Sequence, residues 1–354
     1  MGTHIEWTDE TWNPVTGCTR VSEGCEHCYI EHQPPMRMAR RRFNGPQIGA
    51  TTGVQLHPER LGKPLEWRKP QRIFVCSMAD LFHDDVPDEY IAQVFATMAV
   101  SERHTFQVLT KRPARMRSLL SSQSFPELVT VWAWRIDPGA ASRLPKGGGK
   151  FSPNAVAWPL PNVWLGVSTE TQQWADTRIP QLLATPAAVR FISAEPLLEP
   201  VDLDKHLYPH RCPDGCHCRR PDDGDRFECA CGGACADWSP RAALDWVIVG
   251  GESGPKARPM ELHWAQELRD QCIGAGVPYL FKQWGEWAPD YATSDPILDH
   301  PMRRVGKKAA GRELDGRTWD EYPPKFDAEA AERAAVEAQH HGPLFEIDEV
   351  NGGA

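Results

Sequence analysis

VWLGVSTETQQWADTRIPQLLATPAAVRFISAEP, residues 163–196, holds the unit from which the fold is read: a β-branched run, a polar turn, an amphipathic stretch and a second β-branched run. VWLGVSTE (163–170) and VRFISAEP (189–196) are short, apolar and closed by polar residues, the pattern of strands buried on both faces. TQQWADTRIPQLLA (171–184) between them has helical periodicity. The alternation continues outward. RIFVCSMAD (72–80), TFQVLTKRP (105–113), DWVIVGGESG (245–254) and VPYLFKQW (277–284) read as further strands. DEYIAQVFATMAVSE (88–102), the stretch after Pro113 and HWAQELRDQCIGAG (263–276) read as helices, the last stopped by Gly274 and Gly276. Strands alternating with helices predict an α/β chain with a parallel sheet and right-handed crossovers, either a barrel or an open doubly wound sheet.

Parallel sheets of this kind carry their chemistry beyond the carboxyl ends of the strands. Each of the six strands ends in polar residues: Ser77 and Asp80; Thr110, Lys111 and Arg112; Ser168 and Glu170; Ser193 and Glu195; Glu252 and Ser253; Lys282 and Gln283. Turn solvation or helix capping explains any one of them. Their recurrence at all six ends predicts a ring of functional groups around one mouth.

Two stretches break the rhythm. Residues 121–162, with SSQSF, PGAASRLPKGGGK and PLPN, read as a loop insertion or lid. Residues 205–240 carry Cys212, Cys216, Cys218, Cys229, Cys231 and Cys235 in a near mirror image, C-x3-C-x-C followed by C-x-C-x3-C. So few apolar residues accompany them that a bound metal has to supply the folding energy. One Zn2+ on four of the thiolates is the leading arrangement. An auxiliary iron–sulfur cluster and a two-zinc cluster with shared ligands are the alternatives, and His206, His210 and His217 add to the donors. Arg211, Arg219, Arg220 and Arg226 lie beside these cysteines, as in zinc modules that grip nucleic acid. The expected organisation is one domain over 1–322 containing both insertions, then an acidic, alanine-rich tail over 323–354.

Of the 354 residues 41% are apolar, enough for a sizeable core. The net charge of −9 is unevenly placed: residues 313–354 hold 11 Asp+Glu against 3 Lys+Arg, which leaves 1–312 at −1. Within that nearly neutral body Arg37, Arg40, Arg41 and Arg42 follow one another in MRMARRRF, suited to phosphates or to a solvated helix face. There is no run of 18 apolar residues, and MGTHIEWTDE lacks the regions of a signal peptide, so a cytoplasmic protein with no membrane partner is expected. Eleven cysteines in that compartment point to metal or redox chemistry rather than disulfides.

Cys18, Cys25 and Cys28 in GCTRVSEGCEHCY are spaced C-x6-C-x2-C, so one loop brings three thiolates together and supplies no fourth. A cubane iron–sulfur cluster on three cysteines leaves one iron open to a small molecule. Zinc closed by His27 or His32 is a second reading, and ordinary buried cysteines are a third.

IEWTDETWNPVTGCTRVSEGCEHCY, SMADLFHDDVP, HTFQVLTKRP, NVWLGVSTE, RFISAEPLLEP, DWVIVGGESG and FKQWGEW occur in order and nearly unbroken between residues 4 and 322. Together they resemble a phage and prophage family of uncharacterised proteins marked by a three-cysteine motif, itself similar to radical S-adenosylmethionine (SAM) enzymes such as spore photoproduct lyase. The resemblance implies a partial or complete β/α barrel of the radical SAM type, a [4Fe–4S] cluster on Cys18, Cys25 and Cys28, and SAM on the open iron. Reduction would cleave SAM to a 5′-deoxyadenosyl radical, so an electron donor such as flavodoxin or ferredoxin is implied as a partner. His27 would contact the adenine, with Tyr29 close by. Ser77, Asp80, Lys111, Arg112, Ser168, Glu170 and Glu195 would hold the rest of SAM, and Glu252 belongs to the site without an assigned role. The first cysteine spacing is three residues longer than the usual C-x3-C-x2-C, and GGESG (250–254) lies later than the glycine-rich SAM motif it resembles. The substrate class expected from the arginine clusters and the 14 tryptophans is a nucleic-acid base or nucleotide. A metal-stabilised binding protein, in which both cysteine groups are structural, is the competing expectation. A cluster used without SAM cleavage is the third.

Overall fold

The computed structural model describes residue 3 and residues 5–147, 154–207, 218–219, 228–229, 243–291 and 301–323. The chain up to Pro323 forms one compact unit. Its centre is a seven-stranded parallel sheet: β1 (Glu10–Trp12), β2 (Arg72–Val75), β3 (Thr105–Thr110), β4 (Val163–Ser168), β5 (Val189–Ala194), β6 (Trp246–Gly250) and β7 (Tyr279–Gln283). Every strand pairs with the next in sequence, in parallel. Steps in one direction with right-handed crossovers send the long crossover helices to one face, and the sheet curls away from them as a half-barrel. The fold is therefore a partial β/α barrel, and a doubly wound sheet is excluded because no reversal of strand order occurs. Six of the strands fall inside the segments read from the sequence. At three residues, β1 is too short to show a pattern.

The helices on the outer face are α1 (Asp88–Val100), α2 (Pro113–Leu120), α3 (Ser124–Ile136), α4 (Gln172–Leu183) and α5 (Leu262–Ala275). Asp88 and Glu89 in the first turn of α1 favour its positive end. Thr171 caps α4 by accepting from the Trp174 N–H. Gly276, with φ of 66°, ends α5 in the left-handed conformation that glycine adopts without strain. Helix α3 corrects the reading of 121–162 as a loop. The flanking Gly, Pro and Ser residues obscure a helix whose Phe125, Val129 and Ala133 are buried against α1, and a short second helix follows at Pro138–Arg143. Residues 148–153 of the segment lie outside the described residues.

Successive strand residues face opposite sides of the sheet. Ile73, Val75, Phe106, Val108, Val163, Leu165, Val167, Ile192, Val247, Val249 and Phe281 pack toward the helices. On the concave side Phe74, Trp164, Phe191, Trp246, Ile248 and Leu280 form a separate layer near the amino ends of the strands. Trp7, just before β1, fills its middle, with ring centroids 4.6 Å from Phe74, 6.2 Å from Phe191 and 6.4 Å from Trp246. Tyr322 closes the layer from the other end of the unit, 5.2 Å from Trp246, and its hydroxyl donates to the Glu6 carbonyl at 3.2 Å. Gly166 has to be small here: a Cβ would meet the Phe191 ring at 2.5 Å.

Candidate functional site: a thiol-lined cavity at the carboxyl ends of the strands

Above the aromatic floor the inward positions turn small or polar, and a cavity of about 690 Å³ opens. All seven strands contribute to its wall at or just after their carboxyl ends, among them Asn13, Ser77, Lys111, Ser168, Ser193, Glu252 and Lys282. The volume lies in the range of small-molecule sites, about 300–1,000 Å³. Cys18, Cys25 and Cys28 all line it, carried by the crossover from β1 to β2. Tyr29 lines it too, with its hydroxyl on the Ser77 carbonyl.

Three carboxylate–cation groups from the strand ends hold the cysteine loop, each at a different place. The first fixes Cys18. Asp80 accepts from the Thr110 hydroxyl (2.7 Å), the Phe82 and Lys111 N–H groups (3.0 Å each) and Arg112 Nη1 (3.1 Å). Arg112 then reaches the loop, donating to the Thr19 carbonyl at 3.1 Å and to Cys18 Sγ at 3.9 Å.

The second group fixes Cys25. Glu170 is fully buried and accepts from Arg178 Nη1 at 2.7 Å, from the Ser22 hydroxyl at 2.9 Å and from Lys111 Nζ. Ser22 Oγ lies 3.7 Å from Cys25 Sγ. A Cβ on Gly24 would fall 2.4 Å from Glu170 Cγ, so glycine lets the loop lie flat on this carboxylate. Burial works against the charge of Glu170, but Lys111 and Arg178 hold its carboxyl down at about 2.

The third group fixes the turn between Cys25 and Cys28. Glu252 receives a two-pronged contact from Arg258, Nη2 to Oε1 at 2.7 Å and Nε to Oε2 at 2.9 Å, plus the Arg258 N–H at 2.8 Å. His27 Nδ1 is 3.2 Å from Glu252 Oε2, and Arg258 Nη2 donates to the Glu23 carbonyl at 3.1 Å. Arg258 and Glu252 thus tie the end of β6 to the loop.

The thiols differ in electrostatics. Burial raises Cys18 to about 11, helped by Asp80, and raises Cys28 to about 12. Cys25 is also buried, yet Lys111 and hydrogen bonds from the backbone at Val21 and Ser22 more than offset the desolvation and bring it below the usual thiol value. Two cations share Glu170, so a surplus positive charge remains beside Cys25.

The structure gathers His27, Tyr29, Ser77, Asp80, Lys111, Arg112, Ser168, Glu195 and Glu252 around one cavity, as the strand-end residues suggested. Glu170 is the exception. It stands behind the wall, where its ion pairs leave it no face toward the cavity, so it supports the site rather than contacting a ligand. Asp80, although it lines the cavity, already accepts four hydrogen bonds, which limits what it offers a ligand. Glu195 pairs with Lys282 at 2.9 Å and accepts from the Ser193 hydroxyl at 3.1 Å. Sequence reasoning missed Arg178 and Arg258, since nothing in a sequence marks an arginine's partner. It also missed Cys76, a fourth thiol in the cavity lining, held at φ 60° just after β2.

Among the described residues no three His, Cys, Asp or Glu side chains converge tightly enough to hold a single metal ion. A cubane asks for something else, because each cysteine binds its own iron and the thiols stand apart around the inorganic core. Three thiols of one loop that line one cavity wall are a donor set of that chemical kind. In the cysteine-rich insertion Cys218–Arg219 and Glu228–Cys229 form an antiparallel pair with Cys218 opposite Cys229, on the axis of the mirrored spacing. Cys212, Cys216, Cys231 and Cys235, with His210 and His217, lie outside the described residues, as do Arg211, Arg220 and Arg226.

Fold and site define a parallel β/α half-barrel with a thiol-lined cavity at the carboxyl ends of its strands. The chain belongs to the family described as protein of unknown function (DUF5131), whose model matches residues 2–323. That match ends where the compact unit ends. No curated protein and no solved structure matches the chain. Among the described residues no helix is long and apolar enough to cross a membrane.

Proposed function

We propose that this protein is a radical SAM-type enzyme with a [4Fe–4S] cluster on Cys18, Cys25 and Cys28 and SAM bound beside it in the cavity. The observation that carries the reading is the placement of three thiols from one loop on the wall of a single cavity ringed by the carboxyl ends of all seven strands. Bound together, cluster and SAM would supply reductive cleavage of a carbon–sulfur bond and so radical chemistry on a substrate. The chain's own residues set up the chamber. Cys25, with Lys111 beside it, provides the thiolate that forms first. Arg112, Glu170 with its two cations, and Arg258 with Glu252 fix three parts of the loop, which holds the thiols in place. Glu195 and Lys282 present both charges complementary to a zwitterionic amino-acid group. The aromatic floor closes the chamber to water from below. A protein electron donor of the flavodoxin or ferredoxin kind completes the scheme.

Zn2+ in the insertion is proposed separately, supported by the mirrored cysteine spacing and by the opposed Cys218 and Cys229. Protein prepared without oxygen should contain iron and inorganic sulfide and should release 5′-deoxyadenosine from SAM only when a reductant is added. Cys25→Ala should lose iron, sulfide and SAM cleavage together while any zinc stays. Iron and sulfide unchanged in Cys25→Ala would refute the assignment, and zinc alone with no SAM cleavage would favour a metal-stabilised binding protein.

A further inference from the structure

The rim of the cavity carries charge that the chamber itself does not use, and an aromatic ring with an open face. Residues 32–58 contain four arginines and no Asp or Glu. Arg41 is half-buried and engaged: it donates to the Thr16 hydroxyl at 3.0 Å, to the Gln55 side chain at 3.1 Å and to the Gly53 carbonyl, so it drops out of the phosphate-binding set suggested by the sequence. A left-handed turn at Arg40, φ 52°, turns the chain after the short helix Pro34–Met38. Arg37, Arg40 and Arg42 are exposed and have no side-chain partner among the described residues. The nearest acid before them, Glu31, is occupied by the Phe43 N–H at 2.8 Å and Arg20 at 3.8 Å.

This patch is continuous with the cavity, since the short helix that bears Arg37 also lends Pro35 to the cavity wall, preceded by Gln33 and Tyr29. Lys307, exposed and likewise unpaired, lines the same cavity. Tyr29 is 47% exposed although its hydroxyl is fixed on Ser77, so its ring is held at the entrance with part of its surface open. Free guanidinium groups beside a fixed aromatic ring are the elements by which proteins track a phosphate backbone and stack an unpaired base. A base inside a duplex has no free face to offer such a ring.

We propose that the mouth of the cavity docks a single-stranded polynucleotide, with Arg37, Arg40 and Arg42 on its phosphates and Tyr29 against a base. The inference rests on the radical-enzyme reading only in taking the cavity below as the reaction chamber. Binding is measured on the full chain, with and without its metal content, by fluorescence anisotropy of a labelled oligonucleotide of about 12 nucleotides. DNA and RNA single strands form two arms that separate the sources of the phosphodiester. A duplex and anionic phospholipid vesicles are the competitors.

R37A/R40A/R42A should weaken single-strand binding about tenfold or more at low salt, and should lower the slope of log affinity against log salt by about 2, since each single-strand phosphate contact contributes about 0.7. R68A/K69A/R103A removes the same charge next to the amino ends of β2 and β3 and should change neither quantity. Wild-type affinity in the first triple variant, equal weakening in the second, a duplex bound as tightly as single strands, or binding to vesicles in place of oligonucleotides would each overturn the proposal. Patch-dependent strand binding without SAM cleavage would uphold this surface and refute the enzyme reading. SAM cleavage without strand binding would do the reverse.

Discussion

The floor and the mouth of the half-barrel are built on the same strands, two to four residues apart, yet they solve opposite problems. At the floor Trp7, Phe74, Trp164, Phe191 and Trp246 bury their rings against one another and fill the trough. At the mouth the inward positions that follow include Ser168, Ser193 and Lys282, and the space stays open. What replaces apolar filling there is a set of ion pairs, Asp80–Arg112, Glu170–Lys111–Arg178 and Glu252–Arg258, that hold a loop rather than a core. Stability is concentrated below and placement above, so the two halves should respond differently to substitution.

The largest loss of stability is expected at the floor. Trp246→Ala removes a fully buried ring and should lower the unfolding free energy by about 3–5 kcal/mol in urea titrations. Its surviving folded fraction should keep the reactivity of Cys25. At the mouth, Glu170→Ala leaves the buried Arg178 and the half-buried Lys111 without their anion and should cost about 3 kcal/mol. Here the loop should loosen too, read as faster alkylation of Cys18 and Cys28 in metal-free protein. If Glu170→Ala destabilised the fold with no change at the thiols, floor and mouth would not be separable.

Gly166→Ala tests the boundary between the halves. Its Cβ meets the Phe191 ring at 2.5 Å, and the strain of overpacking should cost about 1–3 kcal/mol by thermal unfolding. The acid response of the mouth runs through Glu170. Glu170 has its carboxyl held at about 2, below the usual value, so its stabilisation is complete above about pH 4.5 and is lost as pH falls toward 2. Glu170→Gln should flatten that part of the stability–pH curve, and an unchanged curve would remove Glu170 as its source. Smallest in energy is Lys111→Met. In metal-free protein near pH 7 Cys25 should be the first of the three loop thiols alkylated by iodoacetamide, and Lys111→Met should slow it about tenfold, read by mass spectrometry.

How much of this was legible in the sequence also divides at the same line. The six longer strands announce themselves because both faces are buried, so their apolar runs are continuous. The ring of strand-end residues follows from a parallel sheet, and nine of the ten proposed cofactor contacts do line one cavity. Glu170 stands outside the ring because a residue two places beyond a strand can turn inward or behind the wall, and only the position of Arg178 on α4 decides it. Helix α3 was hidden by the Gly, Pro and Ser residues around it, although its buried positions 125, 129 and 133 keep helical spacing. Arg41 reads the same as its neighbours, and only the turn at Arg40 separates a hydrogen-bonded guanidinium from exposed, unengaged ones.

The hydrogen bond from Tyr322 to Glu6 spans 316 positions of the chain. The trough is therefore sealed by its first and last segments, and a nascent polypeptide that has not yet released residue 322 leaves Trp246 without its covering ring. Such late closure makes folding slow and exposes aromatic surface during synthesis. The chamber above can then take its final shape only after residue 322 has emerged, and a truncation that spares every residue of the cavity but removes Tyr322 should still yield an aggregation-prone protein.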